Sequence, residues 1–156
     1  MSKVEDFLTK DDEQEIVTAI GIAEKNTSGE IRVHIENSPS LKGDLAKQTS
    51  MASIERAVEV FHQLQMEQTQ DRNGVIIYVA VNSKQFAIYG DKGINEKVPA
   101  DFWDTTKDTI ISHFKNGNFK QGLIDGILKA GEQLQKYFPY AEGDTDELTN
   151  EISKGE

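Results

Sequence analysis

The sequence predicts an α/β fold: a small mixed β-sheet held between helices. Three observations predict it. Apolar residues recur at helical spacing in several long segments. A strand-like run at residues 30–36, a helical segment at 50–67 and an apolar run at 75–81 make a βαβ unit. The stretch from Asp71 to Asp91 reads as a β-hairpin, two apolar runs around a polar turn.

The elements follow in order. Ile16, Ala19, Ile20 and Ala23 place a helix over 10–26. Thr9 and Asp12 have the form of a capping box with Asp in place of Glu. Asp11, Asp12, Glu13 and Glu15 sit where the helix dipole favours negative charge. In Glu30–Glu36, Ile31, Val33 and Ile35 alternate with Arg32, His34 and Glu36. That pattern predicts a half-buried strand near a sheet edge. Residues 37–49 are rich in Ser, Pro, Gly and Lys and read as a loop.

Ile54, Ala57, Val58, Phe61 and Leu64 mark an amphipathic helix over 50–67. Val75–Val81 is apolar at both parities, the mark of a central strand covered on both faces. Gln85–Tyr89 returns antiparallel through Asn82, Ser83 and Lys84. Pro99 opens a helix over 99–115, and Gly117 ends it. Asn118 and Gln121 are positioned to cap the last helix, which carries Leu123, Ile127 and Leu134. Gly122, Gly126 and Ala130 give that helix a small-residue stripe for close approach to a neighbour. Residues 1–139 form a single domain, and 140–156 read as an acidic, disordered tail.

Composition narrows the function. Asp and Glu outnumber Lys and Arg 27 to 17, for a formal net charge of −10. That balance argues against nucleic acid or anionic lipid as a partner. It suits a cation, or a basic protein partner for the acidic tail. The absence of cysteine excludes disulfides, thiolate catalysis and Cys-ligated metals. No apolar leader and no run of about 18 apolar residues is visible, so the expectation is a cytoplasmic chain without membrane insertion.

The topology directs several acids to one rim. Glu30 begins the first strand, Asp71 precedes the second, and Asp91 follows the third. The following loop leads to Glu96, Asp101 and Asp104. Carboxylates gathered at one rim repel unless a cation sits between them. Oxygen ligands without Cys or paired His suit Ca²⁺, Mg²⁺ or Mn²⁺. The plainer reading is that Asp71 and Asp91 are turn residues and that Asp71 pairs with Arg72 or Lys92. Glu30 shares parity with the polar residues of its strand, which argues for solvent rather than a ligand. His34, His62 and His113 lack metal-ligand spacing, and no nucleophile elbow, phosphate loop or dinucleotide fingerprint occurs.

Three segments together resemble the TPM domain family. They are Thr27-Ser28-Gly29-Glu30-Ile31-Arg32-Val33, Arg72-Asn73-Gly74-Val75-Ile76-Ile77-Tyr78-Val79, and Phe86-Ala87-Ile88-Tyr89-Gly90-Asp91-Lys92-Gly93-Ile94. The resemblance covers roughly residues 5–139 and is strongest to the small stand-alone versions of marine Bacteroidetes. The family includes a thylakoid-lumen acid phosphatase, photosystem II repair proteins and an acetylcholine-receptor auxiliary subunit. The resemblance implies a Rossmann-like three-layer αβα sandwich. It also implies divalent-cation binding, Ca²⁺ foremost, at the strand-end rim, which supports Glu30, Asp71 and Asp91 as metal ligands with Asp104 added. A regulatory binding module is the expected function, and a metal-assisted acid phosphatase is the alternative, on the pattern of the plant relatives.

Overall fold

A computed structural model describes residues 8–36, 50–69, 72–81, 85–140 and 152–154. The chain runs α1 (Lys10–Glu24), β1 (Glu30–Glu36), α2 (Ser50–Gln63), β2 (Gly74–Ala80) and β3 (Gln85–Gly90). It continues through α3 (Lys92–Asn95), α4 (Asp104–Lys115), α5 (Phe119–Gln135) and β4 (Ser153–Lys154). The four strands form one mixed sheet in the order β3-β2-β1-β4. β1 and β2 are parallel, as a crossover through α2 requires, and β2 and β3 are antiparallel.

Strand alternation sends neighbouring residues into two separate cores. Val75, Ile77 and Val79 of β2 join Ile31, Val33 and Ile35 of β1 in a large core. There they pack with Ile16 and Ile20 of α1, Ile110 of α4 and Leu123, Ile127 and Leu134 of α5. Ile76, Tyr78 and Ala80 point the other way, to Ala57, Val60, Phe61 and Met66 in and just after α2. The predicted sheet with helices on both faces is therefore the observed one.

The capping box of α1 is present in both directions. Thr9 Oγ1 accepts from the Asp12 N–H at 3.0 Å, and Asp12 Oδ2 accepts from the Thr9 N–H at 3.1 Å. α5 lies close to two neighbours because its glycines carry no side chain. A Cβ at Gly126 would stand 2.6 Å from Ile110 Cγ1, and one at Gly131 would stand 2.7 Å from Ala23 Cβ.

Several expectations are corrected. β1 lies one strand in from the edge, with β2 along one side and the two-residue β4 on the other. Its polar row is not solvated as that pattern predicts: Glu30, His34 and Glu36 are buried and Arg32 is half-buried, with Arg56 of α2 bonded to Glu36 and Ser153 of β4 to His34. α4 starts at Asp104, not Pro99, because residues 100–103 make tighter turns that bring Phe102 onto Tyr137. Gly117 ends α4 with φ +76°, as expected, but Asn118 makes no side-chain cap bond to α5. α3 was not foreseen. Ser153 and Lys154, assigned to the tail, pair with His34 and Ile35 as a fourth strand. The loop at 37–49, the turn at 82–84 and residues 141–151 lie outside the described residues.

Candidate functional site

The rim at the start of β2 is built by three adjoining segments. Glu30 is the register partner of Gly74 on one side, and its N–H donates to the Asn73 carbonyl at 3.2 Å. On the other side the Asp91 N–H donates to the Gly74 carbonyl at 2.9 Å. Glu30, Gly74 and Asp91 thus form one row across the sheet, on the face covered by α2. Adjacent strands lie about 4.8 Å apart, so the two acidic residues are separated by roughly twice that at the backbone. Both are buried, Glu30 at 3% exposure and Asp91 at 1%.

Asp91 is held from two directions. Its side chain caps α3, with Oδ1 accepting from the Lys92 N–H at 2.7 Å. The Arg72 guanidinium grips the same carboxylate as a fork, Nε to Oδ2 at 2.8 Å and Nη2 to Oδ1 at 3.0 Å. Arg72 itself has φ +52°, a left-handed conformation that a non-glycine residue adopts only when its surroundings hold it there. Here the Arg72 carbonyl accepts from the Gly93 N–H at 2.9 Å, tying the loop before β2 to α3. Burial and the charge of Asp91 both push the nearby Tyr89 phenol up from its ordinary pKa.

Asp71 lies outside the described residues. Asp104 is exposed in the first turn of α4, where the helix dipole by itself favours an acid. Among the described residues no group of three His, Asp or Glu side chains is placed to hold a metal ion. Gly74, in the row that carries Glu30 and Asp91, lets the chain after α2 pack closely on the strand: a Cβ there would stand 3.2 Å from the Met66 carbonyl oxygen and 3.6 Å from the Phe61 ring.

A second polar cluster escaped the sequence reading. At the far end of β1, Glu36 is 1% exposed and accepts from three directions. Tyr78 Oη donates to Oε2 at 2.5 Å, Arg56 Nε to Oε2 at 3.0 Å, and His34 Nε2 lies 2.9 Å from Oε1. Burial pushes the Glu36 carboxyl up, but the bonds from His34, Arg56 and Tyr78 outweigh it and hold the pKa at about 2. The Tyr78 phenol is raised in turn by burial and by its bond to Glu36. His34 stacks on Tyr78, with ring centroids 5.9 Å apart, and its Nδ1 lies 2.8 Å from Ser153 Oγ of β4. The signal in the sequence was indirect. β2 is apolar at both parities, so a parallel neighbour must also be covered on both faces, and its polar residues must find partners inside.

These features define a small α/β sandwich with buried carboxylates at both ends of its central parallel strand. The chain belongs to the TPM domain family, whose model matches residues 1–133. It is similar to the BA42 protein of the psychrophilic bacterium Bizionia argentinensis, solved by NMR. That likeness has 57% identity over 99% of this chain and 100% of the other, with a TM-score of 0.85. The N-terminal domain of a P. gingivalis protein shares the fold, with 16% identity over 87% of this chain and 83% of the other and a TM-score of 0.63. No curated protein matches the chain. Among the described residues, no helix is long and apolar enough to cross a membrane.

Proposed function

We propose that this TPM domain is a divalent-cation-binding module, with Ca²⁺ as the preferred ion and Mg²⁺ or Mn²⁺ as substitutes. One observation carries the reading. Two buried carboxylate residues, Glu30 and Asp91, flank Gly74 in a single row across the sheet. The Arg72 guanidinium already compensates Asp91, and a divalent ion would bring a second positive charge to the same row. Glu30 and Asp91 would be the protein ligands from the sheet, Asp71 the ligand from the loop before Arg72, and Asp104 an outlying acid. Such a set leaves positions for water or a partner's carboxylate, because Ca²⁺ takes about 6–8 oxygens with loose geometry. The ion would organise the rim as a surface for a protein partner.

The test is a titration of the full chain with CaCl₂, followed by amide NMR and calorimetry. The amides of Asp91, Lys92 and Gly74 should shift saturably at millimolar Ca²⁺. No change at those amides ends the proposal. Asp91→Asn keeps the cap acceptor but removes the charge, and should weaken binding at least tenfold.

A second reading is favoured by Arg72, a guanidinium beside a buried carboxylate at the rim. Released from Asp91, that guanidinium would present its fork to a phosphomonoester. A bound cation would supply polarisation of a phosphoryl oxygen. Purified chain should then release phosphate from a generic phosphomonoester in Ca²⁺ or Mg²⁺, and Asp91→Asn should abolish the release. Turnover surviving that substitution rules the reading out.

A further inference from the structure

We propose that Arg72 is the resident cation of the acidic rim, and that a divalent ion enters by exchange with its guanidinium. The inference rests on the reading of the rim as a cation site and adds how access to it is controlled. Asp91 and Arg72 are unequal partners. The Asp91 side chain is 2% exposed, whereas that of Arg72 is 44% exposed. The carboxylate is fixed by its place below the surface and by the Lys92 N–H, a bond that remains when the guanidinium leaves. The Arg72 backbone is fixed too, with its N–H donating to the Thr69 carbonyl at 3.2 Å and its carbonyl accepting from Gly93. Only the arginine side chain is left to move.

Occupancy of the carboxylate makes exchange necessary. An ionised carboxylate offers about four lone-pair sites. Arg72 uses two of them and the Lys92 N–H a third. A divalent ion on the remaining site would also sit within a few ångströms of the guanidinium charge, which repels it. The departing side chain has a destination. Glu67, just beyond the end of α2, already acts electrostatically on Arg72, and its carboxylate is 28% exposed next to His62. Swinging from Asp91 toward Glu67 keeps the guanidinium near a carboxylate and opens Asp91 to the ion.

The experiment follows the Arg72 Nε–Hε resonance and the Asp91 amide together, in ¹⁵N-labelled full chain titrated with CaCl₂. Both should shift with one midpoint, and Hε exchange with solvent should accelerate at saturation. Arg72→Ala should bind Ca²⁺ about fivefold more tightly, because the apparent affinity is no longer divided by the fraction of open carboxylate. Arg72→Lys, a weaker competitor without the fork, should fall between. Saturation at Asp91 with an unmoved Arg72 Hε overturns the exchange while leaving the cation site standing. So does unchanged or weaker binding by Arg72→Ala, which would make Arg72 a positioning residue. If neither protein shows saturable change at Asp91, the cation site itself is lost and the exchange with it. The Hε readout is made on the unaltered chain, so it does not depend on how the variants fold.

Discussion

The Glu36 carboxylate and the Arg56 guanidinium are joined by bonds of 3.0 Å from Nε to Oε2 and 3.1 Å from Nη2 to Oε1, with Glu36 1% exposed. Arg56 comes from α2 and Glu36 from the end of β1, so the pair ties the crossover helix to the strand it leaves. Removing one partner strands a buried charge. Arg56→Met should cost about 3–5 kcal/mol of unfolding free energy, read from urea denaturation. Tyr78→Phe removes one bond of the same network and should cost about 1 kcal/mol.

Acid should weaken the fold through this network. Glu36 is held at about 2 in the folded protein, against an ordinary value of 4.5. Its folded pKa is depressed, so the stability it contributes is fully present above pH 4.5. As pH falls from there towards 2, the unfolded chain takes up the proton first, and that stability is lost. The loss should reach about 3 kcal/mol from this one group. Denaturation curves across that window should show the slope in the natural protein. Glu36→Gln should be less stable at neutral pH and should lack the slope that Glu36 contributes.

Helix packing gives a third expectation. Gly131→Ala would press a methyl against Ala23 Cβ at 2.7 Å and Ala23 Cα at 3.0 Å, atoms with no rotamer to yield. Gly126→Ala meets Ile110, whose side chain can shift, although its Cγ1 would stand at 2.6 Å. Both should destabilise by about 1–3 kcal/mol, Gly131→Ala the more. Gly117→Ala has open space around it, so its cost comes only from the left-handed backbone, about 1 kcal/mol. Thermal melts of the three variants would test the order.

Thr9→Ala removes the side-chain acceptor of the α1 capping box and should cost about 1 kcal/mol. Thr9→Ser retains the acceptor and should cost little. Amide exchange at Asp12, whose N–H bonds Thr9 Oγ1, should quicken in the alanine variant alone.

The sequence by itself determined the four long helices and the first three strands, because each carries its own periodicity; α3 and β4, of four and two residues, are too short to carry one. Ile16, Ala19, Ile20 and Ala23 mark the buried face of α1, and all four are buried. The Thr9 cap and the Gly117 terminator were also legible, since both are local devices acting within a few residues. The family was legible too, through three short segments that fall on β1, β2 and β3.

Only the tertiary structure decided which polar residues went inside. Glu30, His34 and Glu36 alternate with apolar residues as a solvent-facing row would, and no local signal separates the two cases. What meets them comes from far along the chain: Arg56 of α2 bonds Glu36, and Ser153 of β4 bonds His34. Arg72 and Asp91 are nineteen residues apart in sequence. Each reads as an ordinary turn residue, and they meet because the β2–β3 hairpin brings its two ends together. The rim was foreseen as a set of acids awaiting a cation. In the folded chain a guanidinium already holds one of those acids, and only the closing of the hairpin could put it there.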